Sequence, residues 1–148
     1  MPYPFVRDVS GVDFSSRVYI STAIVGSPAA ASETVVCQVT GIDGQLPVGK
    51  CVFISGAVAY TVGTSGASAR YRIRTGTAAG AGTVIFDSGV TTAGISATNL
   101  VNENVQGMDT SASGGAAVGS TSYCLTLTIG SGAAASTVSA TNLIVVVF

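Results

Sequence analysis

The feature that most constrains the fold of this chain is a series of short apolar runs separated by small or turn-forming residues. The runs are rich in β-branched and aromatic side chains, which favour strands, and none repeats apolar residues with helical spacing over the length of a helix. In chain order they are RVYISTAIV, ETVVCQVTGI, CVFISGAVAYTV, ARYRIRT, TVIFDSG, NLVNENVQG, SYCLTLTIG and NLIVVVF. Many short strands at such spacing predict an all-β fold, a β-sandwich or a barrel.

The length of the chain predicts one domain, preceded by a segment of different character. The 148 residues are enough to enclose a single hydrophobic core, which we assign to residues 17–148. In residues 1–16, Pro2 and Pro4 flank Tyr3, and Phe5 follows. Because proline disfavours helix, this segment is predicted to be an extended N-terminal arm whose aromatics pack on the same subunit or on a neighbour. The alternative is a frayed or self-packed terminus.

The composition predicts a chain that works by association. Only 9% of the residues are charged, against about 25% in an ordinary globular domain, while 47% are hydrophobic, so disorder is not expected. A nearly neutral surface has little electrostatic protection against association, which predicts packing against other copies or partners. The net charge of −1 gives no general attraction to nucleic acid or to an anionic membrane, and no apolar run approaches the length that spans a bilayer.

Catalytic and metal chemistry are poorly represented in the sequence. There is no histidine, and the three cysteines, Cys37, Cys51 and Cys124, are far apart, so a zinc site or a thiol–imidazole pair is not expected. Each cysteine lies among strand-like residues and is predicted to be a small buried hydrophobe, with a disulfide left open. We therefore predict no cofactor, no metal and no enzymatic activity.

The run ARYRIRT concentrates half of the six Lys and Arg residues at alternate positions, Arg70, Arg72 and Arg74. Because successive side chains of a strand point to opposite faces, the arginines share one face, while Tyr71 and Ile73 face the core. Two interpretations remain open, a solvated strand face and a face that pairs with an acidic partner. A nucleic-acid stripe is disfavoured, because DNA binding usually draws on more phosphate contacts.

Asp87 is the acidic residue best placed to meet these arginines. A hairpin between residues 71–75 and 83–87 would bring it towards the arginine face. The surrounding VIFDSGV also fits the apolar-apolar-Asp-Ser-Gly pattern of aspartic proteases, with Asp109 in GMDTSA as a second carboxyl. The sequence around Asp109 lacks the glycine of this pattern. Asp-Ser-Gly is also common in turns at the end of a strand, and that is the interpretation we favour.

The final run, LIVVVF, is apolar without interruption. Such a run predicts a strand that is buried on both faces. We therefore expect Val147 and Phe148 to lie in the core or in an interface between subunits.

Two stretches of the second half, YRIRTGTAAGAGTVIFDSGVTTAGISATNL and SYCLTLTIGSGAAASTVSATNLIVVVF, resemble small structural proteins of tailed bacteriophages. The shared pattern is a Tyr-x-Ile-Arg-x-Gly strand, a small-residue loop and a Thr-Val-Ile-x-x-Ser-Gly strand, followed later by Tyr-x-Leu-Thr-Leu and Ser-Ala-x-Asn-Leu strands. The resemblance covers about residues 69–148. It implies an antiparallel, jelly-roll-like β-sandwich that is made in the host cytoplasm and lies on the capsid exterior of a virion.

The resemblance further implies a trimeric capsid decoration (cement) protein, whose partners are the major capsid protein and other copies of itself. The alternative is a tail or head-fibre module that binds a host receptor or a glycan. Candidate interface residues are Tyr3, Phe5, Arg70, Arg72, Arg74, Val147 and Phe148.

Overall fold

The computed structural model describes residues 17–22, 32–42, 52–62, 67–90, 100–109, 122–130 and 137–147. Within these ranges the chain forms eight strands and no helix, and therefore no helix with the length and hydropathy to cross a membrane. The strands are β1 (Arg17–Thr22), β2 (Glu33–Val39), β3 (Val52–Thr61), β4 (Ala69–Thr75), β5 (Val84–Asp87), β6 (Val101–Asp109), β7 (Tyr123–Ile129) and β8 (Thr137–Val147). Each apolar run contributes one strand, which confirms the all-β prediction.

The strands form two four-stranded antiparallel sheets. Sheet A has the order β1-β8-β3-β6 and sheet B the order β2-β7-β4-β5. Eight antiparallel strands divided in this way between two sheets form a jelly roll. The predicted jelly-roll-like sandwich is confirmed, whereas the predicted arm, residues 1–16, lies outside the described residues.

The core lies between the two sheets and follows the alternation of side chains along each strand. In β3 every second residue is buried, and the intervening residues face outward. β7 supplies the opposing layer and is buried along almost its whole length. The largest fully buried side chains are Tyr60, Tyr123, Ile54, Ile73, Leu125, Leu127, Ile129 and Leu143. Burying an aliphatic side chain of this size contributes about 1.5–3 kcal/mol, so this layer dominates the stability of the fold.

Within the described residues, side-chain hydrogen bonds run from one sheet to the other. Three short ones run from Thr141 Oγ1 to the Val36 carbonyl (2.9 Å), from Tyr71 Oη to Glu103 Oε2 (3.1 Å) and from Tyr123 Oη to Asp109 Oδ2 (2.7 Å). A longer one runs from Cys37 Sγ to the Ser21 carbonyl (3.9 Å). Asp109 is only 3% exposed, so its bond to Tyr123 helps to satisfy a buried carboxyl group. These bonds fix how the two sheets lie against each other.

The C-terminal run is buried on one face only. Leu143, Val145 and Val147 point into the core, whereas Ile144 and Val146 face outward from sheet A and are partly exposed. The prediction of burial on both faces is therefore wrong for the single chain, because an antiparallel sandwich covers only the inner side of each sheet. Phe148 lies outside the described residues.

Candidate interaction surfaces on the two outer faces

The outer face of sheet B carries a row of alternating charges. Arg70 binds Asp87 through both carboxylate oxygens, with Arg70 Nε 2.8 Å from Asp87 Oδ1. Arg72 Nε donates to Asp87 Oδ2 at 3.0 Å. The pairing of β4 with β5 places these groups together, since Arg72 lies opposite Asp87 in the register. The prediction that Asp87 approaches the arginine face is confirmed.

Glu33 extends the row of charges on the side of Arg72 and Arg74 that faces away from Asp87. Its carboxylate accepts hydrogen bonds from Arg72 Nη1 at 3.0 Å, from Arg74 Nε at 2.6 Å and from Arg74 Nη2 at 3.0 Å. Thr126 Oγ1, on the intervening strand β7, also donates to Glu33 at 2.5 Å. We call the five charged residues Arg70, Arg72, Arg74, Asp87 and Glu33 the ion ladder. It links β2, β4 and β5 across the outer surface of sheet B.

The ion ladder is only partly open to solvent. The side chains of Arg72 and Glu33 are each 14% exposed and that of Arg74 is 11% exposed, whereas that of Arg70 is 37% exposed. The interpretation as a plainly solvated face is therefore wrong for Arg72 and Arg74. All three guanidinium groups bind carboxylates of the same chain, which leaves an acidic partner little to pair with.

Both carboxyl groups of the ladder are held in the charged form. Partial burial raises the pKa of Glu33, but hydrogen bonds from Arg74 and Thr126 and the charges of Arg74 and Arg72 outweigh it, so the pKa is lowered. The hydrogen bonds from Arg70 lead a set of contacts that hold the pKa of Asp87 well below its ordinary value. The ladder is consequently ionised throughout the neutral range.

The turn after β5 fixes Asp87 in place. Gly89 has a φ of +68°, and its N–H donates to Asp87 Oδ1 at 2.9 Å. Ser88 Oγ accepts from the Tyr71 N–H at 3.0 Å. The predicted strand-end turn is confirmed. Asp87 faces outward from sheet B while Asp109 is buried between the sheets, so within the described residues these two carboxyls do not form the proton-sharing pair of an aspartic protease.

The cysteines behave as small hydrophobes where they are described. Cys37 and Cys124 are buried, as predicted, and neither forms a disulfide, a question that the sequence left open; Cys51 lies outside the described residues. Cys124 lies opposite Arg74 in the register, and burial leads the effects that raise the pKa of its thiol to about 11. No group of three or more potential metal ligands occurs in the part of the chain that the structure describes.

The outer face of sheet A is apolar where that of sheet B is charged. Cross-strand register places Val18 beside Val146, Val146 beside Phe53 and Phe53 beside Met108, so that an apolar row crosses all four strands. In the next row Ile20 lies beside Ile144. Val18 is 57%, Ile20 70% and Met108 53% exposed. We call this patch the apolar band; its members are Val18, Ile20, Phe53, Met108, Ile144 and Val146.

The rest of this face is small and polar. Ala57 and Ala59 form the floor of a shallow depression of ≈ 210 Å³, flanked by Asn102, Asn104 and Asn142. Among the described side chains that point outward from sheet A, none is charged. The face therefore combines an apolar band with neutral hydrogen-bonding groups.

The candidate interface residues occupy different environments. Tyr3, Phe5 and Phe148 lie outside the described residues. Val147 is 1% exposed in the core of its own chain, so its side chain does not face a partner, and the outward residues of the same strand are Ile144 and Val146.

Sequence reasoning missed both Glu33 and the apolar band. Glu33 meets Arg74 only because of the strand order, which no local pattern reveals. In β1, Val18, Tyr19 and Ile20 are apolar on both faces, so alternation alone does not show which face is exposed.

The comparisons bear on the fold. No family model and no curated protein matches the chain. Among solved structures it is similar to a chain of the infectious bursal disease virus Gx strain, with 16% identity and a TM-score of 0.56 over 88% of this chain and 32% of that one. It is also similar to VP2 of the subviral particle of infectious bursal disease virus, with 15% identity and a TM-score of 0.54 over 98% of this chain and 37% of that one. The chain thus spans about a third of the viral chains it matches, and at these identities it shares with them a β-sandwich fold.

Proposed function

We propose that this protein is a structural component of a virion that acts by binding rather than by catalysis. The observation that carries the proposal is the jelly-roll strand order, in a sandwich similar to chains of infectious bursal disease virus. The sparse charge and the uncharged outer face of sheet A support adhesion to neighbouring subunits. The ion ladder, with its carboxylates held ionised by arginines, offers no group poised for acid–base chemistry.

Within that class, the resemblance of residues 69–148 to tailed-bacteriophage proteins favours a decoration (cement) protein on the capsid exterior. Its partners are the major capsid protein and, in a homotrimer, other copies of the chain. A rigid sandwich suits this role because it binds without losing conformational freedom. An extended arm bearing Tyr3 and Phe5 would add contact area, and stable interfaces bury more than about 1,000 Å² in total.

Co-sedimentation tests the proposed location. Purified protein is mixed separately with intact phage heads and with detached tails, and the bound fraction is measured after ultracentrifugation. Saturable binding to heads supports the decoration role. Binding to tails alone supports the tail or head-fibre alternative, and binding to neither contradicts a virion role.

The contribution of the arm is tested by deletion of residues 1–10. We expect the deletion to lower the occupancy of capsids, because the aromatic contacts are removed while the sandwich is retained. Unchanged occupancy, with the same circular dichroism spectrum as the full chain, would refute the role of the arm.

A further inference from the structure

We propose that the outer face of sheet A is the interface through which copies of this chain associate, each face packing against the same face of another copy. The inference rests on the described residues of sheet A and does not depend on the virion assignment. A contact between two identical faces closes after two copies, so the inference predicts a dimer rather than the homotrimer of the proposed function.

The first argument is the continuity of the apolar band. Exposed apolar side chains scattered singly are normal, whereas a contiguous patch marks an interaction surface. Here the register aligns Val18, Val146, Phe53 and Met108 side by side across the sheet, and Ile20 and Ile144 extend the patch along the strands. Three of its members are more than half exposed.

The second argument concerns charge and identifies the occupant. In a self-complementary contact, residue i of one copy meets residue j of the other, and only a residue on the two-fold axis meets its own mate, so a charge on the axis meets a like charge. The described outward side chains of sheet A carry no charge and avoid this repulsion. Interfaces between identical subunits are also more apolar than those between different proteins. A partner recognised by its charge would find nothing to pair with on this face.

The outer face of sheet B serves as the internal comparison. It carries three arginines and two carboxylates, an excess of one positive charge, so contact with the same face of a second copy would bury charged groups and bring two net positive faces together. Its charged groups are moreover already paired within the chain. Of the two broad faces, only that of sheet A suits contact with its own copy.

The third argument is area. The strands of sheet A have 6, 11, 10 and 9 residues. With strands about 4.8 Å apart they present a face of roughly 590 Å². Two such faces in contact bury roughly 1,200 Å², which lies at the lower end of the range of stable, specific interfaces. Contact through part of the face would leave the association weak and dependent on concentration.

The test is the mass of the purified protein in solution, measured by analytical ultracentrifugation. We expect the wild-type chain to be a dimer. The double variant Ile20→Lys, Met108→Lys is expected to be monomeric with an unchanged circular dichroism spectrum, because both side chains are exposed in the single chain. The matched control, Val84→Lys, adds a lysine at a 40% exposed valine on the outer face of sheet B and is expected to remain oligomeric.

A second pair of variants covers the case in which the double variant is destabilised. Gln106→Glu adds a charge to sheet A with almost no change of shape, and Gln38→Glu does the same on sheet B. We expect Gln106→Glu to weaken self-association at least tenfold, and Gln38→Glu to leave it unchanged. The association of the wild-type chain should also change little as the salt concentration rises, because no ion pair contributes.

A monomeric or trimeric wild-type chain would overturn the inference. So would dissociation by the sheet B variants, or variants of sheet A that keep their mass but lose binding to phage heads, since the face would then contact the capsid. Dissociation by the sheet A variants alone supports the inference even if no preparation binds virus particles, a result that would refute only the proposed virion role.

Discussion

The two outer faces of this sandwich arise from the same alternation of side chains along the strands, but they differ in whether their side chains have partners within the chain. On sheet B the outward residues include arginines whose partners, Glu33 and Asp87, come from strands of the same sheet. On sheet A the outward residues are apolar or neutral, and their large apolar members remain exposed. On sheet B the charged side chains find their partners within the chain, whereas on sheet A large apolar side chains stay exposed, and there we propose association with a second copy.

The difference has an energetic basis. Isolated surface ion pairs contribute little, but a network whose members are largely buried and share hydrogen bonds contributes more. Glu33 accepts from two arginines and a threonine at once, so its removal leaves Arg72 and Arg74 without their shared carboxylate. An apolar side chain exposed on sheet A stabilises nothing until a partner removes it from water.

The largest effect is expected at the centre of the ion ladder. Glu33→Gln should lower the free energy of unfolding by about 2–3 kcal/mol, because Arg74 loses its carboxylate partner and Arg72 keeps only Asp87. Urea denaturation at fixed protein concentration measures the loss. Glu103→Gln is the matched control, since its carboxylate accepts one hydrogen bond, from Tyr71, and its loss should be below about 1 kcal/mol. Equal losses in the two variants would show that the ladder does not act as a network.

The next effect comes from the hairpin that carries Asp87. Gly82 has a φ of +72°, and a Cβ there would lie 2.0 Å from the Thr75 carbonyl oxygen, so Gly82→Ala should cost about 2 kcal/mol. Gly80 has nearly the same φ of +71° but open space around it, so Gly80→Ala should cost only about 1 kcal/mol. Thermal denaturation measures both losses. Neither change should alter the oligomeric mass, and a change of mass would mean that the two faces are not independent.

Acidification should distinguish the faces without any mutation. The pKa values of Glu33 and Asp87 are lower in the folded chain than in the unfolded chain. Their contribution to the free energy of unfolding is therefore complete at a pH above their ordinary pKa values, and it is lost as the pH falls towards the pKa values of the folded chain. The melting temperature of the wild-type chain should therefore fall as the pH is lowered below about 5, and the melting temperature of the Glu33→Gln variant should fall less steeply. Self-association through uncharged sheet A should hardly change while the chain remains folded. If the melting temperatures of the wild-type chain and the variant fall equally steeply with pH, Glu33 is not a source of the loss of stability in acid.

The smallest effect is expected on the apolar band when the chains are dissociated. Ile20 is 70% exposed, so Ile20→Thr should change the unfolding free energy by less than about 0.5 kcal/mol at low protein concentration. Val84→Thr on sheet B should change the unfolding free energy at low protein concentration by a similarly small amount. At high concentration only Ile20→Thr should reduce stability, because association stabilises the folded chain by an amount that grows with the logarithm of concentration over Kd. A difference that is independent of concentration would place Ile20 in the fold of the single chain rather than in an interface.

Local patterns in the sequence were sufficient to predict most of the strands. ARYRIRT coincides with β4, and the hairpin to β5 brought Asp87 to the arginines as expected, because the two strands are close in sequence. Long-range pairing was not predictable, since Glu33 meets Arg74 across β7. The start of β8 at Thr137 was also not predicted, since the apolar run begins at Asn142 and the strand that the resemblance implies begins at Ser139.

The position of β8 bears on the order in which the molecule assembles. The eighth strand lies between the first and the third, so sheet A remains split, with the edges of β1 and β3 unpaired, until residues 137–147 have been synthesised. Contacts between such distant parts of a chain form slowly, and open strand edges invite pairing with the wrong chain. Emergence of β8 from the ribosome is thus the step that closes this window for misassembly.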